Sequence, residues 1–241
     1  MTGPVPLACD EVHCWCVTLD VLPETAARLY ATLTDDERQR SARLRSERDR
    51  QRFIVAHGAL RQLLGRYLET HPGHLRFVHN PFGKPELSPE WGSPLRFNLS
   101  HSADLALIAI AAEADIGVDL EYVRAQPDYT DIARRFFSAD EFEQLDGLPR
   151  HLQPQAFFRC WTKKEAYLKA CGEGLAGLEG ASYGITQARH WSLYTVQPAR
   201  GYIGALVIAG SGWYLRERHW QASGPRRYGG HYVALNGPEW S

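Results

Sequence analysis

The spacing of apolar residues changes period several times along the chain, and each change marks an element. Val12 to Leu19 alternates well enough for a half-buried strand. Pro23 to Leu33 and Asp35 to Arg45 read as helices, the second opened by Leu33-Thr34-Asp35-Asp36-Glu37, which offers an N-cap and an acidic first turn. A longer amphipathic helix follows from Arg50 to Glu69. Its stripe is Phe53, Ile54, Leu60, Leu63, Leu64 and Leu68, and His71-Pro72-Gly73 ends it. Asn80 to Pro94 is rich in Pro and Gly and reads as loop. Arg96 to Leu99, Ala103 to Ala111 and Asp115 to Tyr122 then read as three successive strands. Helical spacing returns at Ile132 to Phe137, Ala139 to Leu145 and Leu152 to Cys171. The tail goes back to strands at Trp191 to Val196, Tyr202 to Ala209 and His231 to Leu235. Each half passes from helices into strands, so the fold class is α+β, with a lobe boundary near Glu113-Ala114. The expected lobes are 1–112 and 113–241.

Composition narrows the classes without choosing among them. A chain of 241 residues can bury a core as one large domain or as two lobes. Apolar residues make up 44% and charged residues 23%, which excludes a disordered chain. Lys plus Arg total 27 against 28 acidic residues, so no net charge favours nucleic acid. Met1 to Leu7 lacks the basic region and apolar core of a secretory signal, and the longest apolar run, Leu105 to Ala112, is too short to cross a bilayer. The five cysteines follow no disulfide or zinc spacing, and Cys14-Trp15-Cys16 places two thiols on one strand face. A reduced cytoplasmic location is expected, with no membrane partner.

The candidate chemistry is a split acidic constellation. In Gly117-Val118-Asp119-Leu120-Glu121, strand alternation puts both carboxylates on one face. In Trp161-Thr162-Lys163-Lys164-Glu165-Ala166-Tyr167-Leu168-Lys169, helical spacing puts Glu165 and Lys169 one turn apart. Three hard oxygen ligands with a lysine nearby suit Mg²⁺ holding a phosphate-bearing substrate. Each piece also has a plain reading. An acidic pair can lie on a solvated strand face, and Glu four residues before Lys is an ordinary helix ion pair. The arginines Arg38, Arg40, Arg43, Arg45, Arg48, Arg50 and Arg52 form either a solvated helical face or a phosphate clamp. Ser100, His101 and Ser102 either close a turn or supply phosphate donors. No G-x-S-x-G elbow accompanies them, which argues against a serine hydrolase.

In order and spacing, Gly83-Lys84-Pro85, Phe97-Asn98-Leu99-Ser100-His101-Ser102, Gly117 to Glu121, Phe136-Phe137-Ser138 and Trp161 to Lys169 resemble the Sfp-type 4′-phosphopantetheinyl transferases. The resemblance covers about Arg38 to Leu175. It implies two similar α+β lobes related by a pseudo-twofold within a monomer, with coenzyme A between them. The implied reaction moves the phosphopantetheine arm to a serine of an acyl or peptidyl carrier protein and releases adenosine 3′,5′-bisphosphate. Carried over by position, Asp119, Glu121 and Glu165 resemble Mg²⁺ ligands, with Mn²⁺ the other candidate. Glu165, Lys169 and His101 are the residues implied in catalysis. Arg38, Arg40, Arg52, Lys84, Pro85, Ser100, His101, Lys164 and Lys169 are those implied in holding coenzyme A. Arg38 and Arg40 stand where the family often has lysines. The carrier is expected to dock near Arg124 to Phe137, using Phe136-Phe137 and the charge of Arg124, Arg134 and Arg135. Two other classes stay open at this point. One is a different Mg²⁺-dependent enzyme cleaving nucleotide pyrophosphates; the other is a non-catalytic carrier-binding module, whose signature would be loss of a metal ligand or of Lys169.

Overall fold

The computed structural model describes residues 4–124, 129–172 and 190–221. The described chain runs β1 (Glu11–Thr18), α1 (Pro23–Tyr30), α2 (Asp35–Ala42), α3 (Glu47–Tyr67), β2 (Phe77–His79), β3 (Pro85–Leu87), β4 (Leu95–Ser102), β5 (Leu105–Ala112) and β6 (Ile116–Tyr122). It continues through α4 (Tyr129–Phe136), α5 (Ala139–Asp146), α6 (Gln153–Cys171), β7 (Trp191–Val196), β8 (Tyr202–Ala209) and β9 (Tyr214–Trp220). The architecture is α+β, with two main sheets and one long helix on each.

The first sheet has the order β4-β5-β1-β9 and the second β6-β8-β7. On the outer face of the first, Trp15, Val17, Phe97, Ile108 and Ile110 are buried under Val55, Ala59, Leu60, Leu63 and Leu64 of α3. On the outer face of the second, Ala205 and Val207 lie under Ala166 and Ala170 of α6. The inner faces meet: Val12, Cys14, Cys16, Leu107 and Ala109 share a core with Ile116, Val118, Leu120, Leu206 and Ile208. Helices therefore lie outside and the two sheets inside. This explains why β5 is a continuous apolar run, since a strand covered on both faces has no solvent side to alternate toward.

Local signals account for several boundaries. Thr34 forms a capping box with Glu37 and opens α2. Glu37 also accepts from Arg61 Nε at 2.7 Å, and Arg61 Nη1 donates to the carbonyls of Pro72 and Leu75 at 3.1 Å each. That buried pair ties α2, α3 and the turn after α3 together. The long helix begins at Glu47, ahead of the expected Arg50, because Ser46 caps it through the amide of Asp49 at 3.4 Å. β5 begins at Leu105 because Ala103, at φ 48°, belongs to the turn.

Two expectations are corrected. The segment Asn80 to Pro94 contains β3, which pairs antiparallel with β2, Phe77 facing Leu87; strands this short set up no readable period. β9 was not expected as a strand, because its mixed charged sequence lies at a solvent-facing sheet edge. Residues 214–220 pair in parallel with β1, Glu11 facing Tyr214. The expected strand His231 to Leu235 lies outside the described residues, as do residues 125–128 of the expected docking segment. None of the five cysteines, all of them among the described residues, forms a disulfide. Among the described residues no helix is long and apolar enough to cross a membrane.

Candidate active site

Among the described residues β6 pairs with a strand, β8, along one edge only, so the amides on its other edge need partners. β4 supplies them from side chains. Asn98 Oδ1 accepts from Val118 N at 2.9 Å, Ser100 Oγ from Leu120 N at 3.3 Å and Ser102 Oγ from Tyr122 N at 3.1 Å. The period-2 spacing of Asn98, Ser100 and Ser102 matches that of the amides they meet. The two serines then donate onward: Ser100 to Asp119 Oδ1 at 2.9 Å and Ser102 to Glu121 Oε2 at 2.8 Å. One strand thus both closes the seam between the sheets and orients two carboxylates.

The opposite side of the site comes from α6. Gly117 lets the helix lie directly on β6, because a Cβ there would fall on the backbone of Ala166, Lys169 and Ala170. At that approach Lys169 Nζ donates to Asp119 Oδ1 at 2.6 Å and to Ser100 Oγ at 3.2 Å. Asp119 is 4% exposed, and its Oδ2 is buried with no hydrogen-bond partner among the described residues. Burial pushes the Glu121 carboxyl above its usual range, and the charge of Asp119 adds to the shift. Burial does the same for Glu165, opposed by Lys169 and reinforced by Asp119 and Glu121. The site gathers three carboxylates around one ammonium.

Among the described residues, no three His, Cys, Asp or Glu side chains converge on a point that could hold an ion. The donor chemistry still fits a hard divalent cation. All three groups are carboxylates, one buried oxygen has no hydrogen-bond partner among the described residues, and burial, with the charge of Asp119 adding to it, raises the proton affinity of Glu121 and Glu165.

The other sequence-derived candidates are distributed more widely. His101 is the β4 residue between the two bridging serines. Desolvation holds its imidazole below the usual range, and the charges of His57, Lys169 and Arg52 add to this. Arg52 Nη2 donates to Asp104 Oδ1 at 2.6 Å, which ties α3 to the β4–β5 turn. Arg38 pairs with Asp35 at 3.1 Å and Arg40 with Asp36 at 3.0 Å, both on α2. Pro85 opens β3, and Lys84 Nζ is bound to two backbone carbonyls, of Ile116 and Ala170. Lys164 does not join the cluster. Its side chain is 1% exposed, it pairs with Glu141 at 2.9 Å, and it sits over the Phe137 ring. Phe137 is likewise core, stacked on Phe157, whereas Phe136 is half-buried against Trp161. Asn98 was absent from the candidate residues and Ser102 was read as closing a turn or donating to phosphate, yet both complete the seam. The signal for them was the polar alternation along β4, matched to the alternation along β6.

The fold and site define a two-lobed α+β protein with an acidic, lysine-bearing seam. Residues 22–114 match the family described as 4′-phosphopantetheinyl transferase, N-terminal, and residues 115–207 match the 4′-phosphopantetheinyl transferase superfamily. The chain is 41% identical over 223 residues to the 4′-phosphopantetheinyl transferase HetI of Nostoc sp., covering 89% of this chain and 94% of that protein. It is 37% identical over 112 residues to AcpT of Salmonella typhi, covering 46% and 56%. With the 4′-phosphopantetheinyl transferase of Bacillus subtilis it shares 28% over 151 residues, covering 62% and 64%. The chain belongs to the 4′-phosphopantetheinyl transferase superfamily.

Proposed function

We propose that this protein transfers the 4′-phosphopantetheine arm of coenzyme A to a serine of an apo acyl or peptidyl carrier protein, releasing adenosine 3′,5′-bisphosphate. The observation that carries the reading is the seam itself: Lys169 held by Asp119 and Ser100, with Glu121 and Glu165 beside them, in a chain of this family. In the reaction the serine oxygen bonds to the phosphorus that bears the arm. The bond from that phosphorus to the bridging oxygen breaks, and the bisphosphate leaves with the electron pair.

The residues divide the work by their chemistry. The ammonium of Lys169 lies where it can meet the charge of the leaving phosphate. His101, kept neutral by its surroundings, can donate one hydrogen bond to a phosphate oxygen. Glu165, whose carboxyl binds protons more readily than usual, is suited to accept the serine proton. Asp119, Glu121 and Glu165 would hold Mg²⁺, with Mn²⁺ the other candidate, and the ion would neutralise charge on the pyrophosphate. Arg52, Arg38 and Arg40 supply positive charge for the nucleotide end of coenzyme A, and Pro85 lines its path. The buried Lys164 has no part in this reading. We place carrier docking near Arg124 and α4, where Arg134 and Arg135 are exposed, and take the working unit to be a cytoplasmic monomer.

The test is intact-protein mass spectrometry of an apo carrier mixed with this protein, coenzyme A and Mg²⁺. The expected result is a gain of one phosphopantetheine arm on the carrier, lost when a chelator is added. No gain across several unrelated carriers, together with no binding of coenzyme A, would refute the reading.

A further inference from the structure

The turn between β2 and β3 makes contacts that the transfer chemistry leaves unexplained. Asn80 Oδ1 accepts from the amides of Phe82 and Lys84 at 2.9 Å each, which fixes the turn internally. Asn80 Nδ2 donates to the carbonyl of Gly172 at 2.9 Å, at the C-cap of α6. From the same turn Lys84 Nζ donates to the carbonyls of Ile116 and Ala170, both at 3.1 Å. Ile116 is the first residue of β6, and Ala170 follows Lys169 in the last turn of α6. One ammonium therefore joins the backbones of the two elements that carry Asp119, Glu121, Glu165 and Lys169.

The contacts suit the place. The last carbonyls of a helix have no partner within it and form the negative end of its dipole, so a lysine and an amide donor stabilise them. Gly172 sits at φ 71°, and a Cβ there would come within 2.7 Å of Asn80 Nδ2, so the asparagine is seated directly on the cap. Ala166 and Ala170 pack α6 against β8, and the carbonyls at its end are also held by donors from the other half of the chain. We infer that Asn80 and Lys84 are positioning residues: the β2–β3 turn clasps the end of α6 to the start of β6 and so sets how Lys169 meets Asp119. This inference rests on the proposed reading of that pair as part of the transfer site. Lys84 then acts through α6 rather than by touching coenzyme A.

The experiment compares wild type with Lys84→Met, Lys84→Arg, Asn80→Ala, Asn80→Asp and the double variant Lys84→Met/Asn80→Ala. The readouts are steady-state transfer and amide hydrogen exchange of residues 166–172. Lys84→Met and Asn80→Ala should each lower kcat about ten-fold while the KM for coenzyme A stays within about two-fold. Lys84→Arg, which can still donate to both carbonyls, should recover most of the rate. The double variant should fall little below the weaker single one, because both changes release the same helix end. Exchange should quicken in the last turn of α6 and stay unchanged in α3. Asn80→Asp keeps the acceptor that closes the turn and loses the donor to Gly172, so it tests the clasp even where Asn80→Ala misfolds. A raised KM for coenzyme A with unchanged kcat in Lys84→Met would overturn the inference, and so would unchanged kcat and exchange in both single variants. If wild type itself transfers no arm, the proposed function fails, and the exchange comparison alone then decides the clasp.

Discussion

Arg61 with Glu37 in the first lobe and Lys169 with Asp119 at the seam are both cation–carboxylate pairs across two elements, at 2.7 and 2.6 Å. Around the first, the polar groups are matched: Glu37 also accepts from the Thr34 amide, and Arg61 also serves two carbonyls. Burial opposes ionisation of Glu37, yet hydrogen bonds from His57, Arg61 and Thr34 hold its carboxyl down at about 2. The second pair leaves Asp119 Oδ2 unpartnered among the described residues and has two further carboxylates beside it, both pushed up by burial. A saturated buried pair holds elements together. A pair with surplus negative charge keeps capacity for something more, and here that capacity lies on the seam between two sheets. Lys164 with Glu141 belongs to the first kind, since Glu141 also caps α5.

The comparison can be broken most directly at Asp119. Asp119→Asn should cut transfer by about a thousand-fold or more while leaving the thermal midpoint nearly unchanged. Glu165→Gln should also stop transfer, yet raise the midpoint at neutral pH by thinning the crowded carboxylates; rate and thermal unfolding on the same samples check both. A large fall in midpoint for either would make the seam a structural pair like the first. Next in size, Arg61→Met leaves Glu37 buried and uncompensated and should cost about 3–5 kcal/mol, read from denaturant unfolding, with transfer per folded molecule unchanged.

Acid should then separate the two kinds of site. Glu37 is depressed in the folded state, so its stabilising contribution is complete above its ordinary value of 4.5 and is lost as pH falls toward about 2. Glu121 and Glu165 are shifted the other way, chiefly by burial, so protonating them on the way down from neutral removes the cost of burying their charge and some mutual repulsion. Glu37→Gln should therefore flatten the acid limb of stability, and Glu165→Gln should flatten the gentle rise above it. The smallest effect is expected at Ser102. Ser102→Ala orphans the Tyr122 amide and frees Glu121, for a loss of about 1 kcal/mol in unfolding free energy.

Much of this was legible from local spacing. The alternation along β6 placed Ile116, Val118 and Leu120 inside and left Asp119 and Glu121 on the other face, and the Thr34 to Glu37 cap marked the start of α2. What escaped depends on distance along the chain. Asn98 and Ser102 meet amides twenty residues away, and Lys84 meets Ala170 across eighty-six, separations that no local period encodes. Lys164 misled because it adjoins Glu165, but one step along a helix turns a side chain by about 100° and here turns it into the core. β9 escaped because solvent at a sheet edge removes the alternation that would announce a strand.

The pairing of β9 with β1 also fixes an order of events during synthesis. Glu11 faces Tyr214, so the edge of the first sheet waits, unpaired, while about two hundred further residues leave the ribosome. All three described strands of the second sheet precede β9 and have emerged before that edge is covered. Assembly therefore runs against the numbering: the later lobe has its strands first, and the earlier one stays open to wrong partners until its last strand arrives.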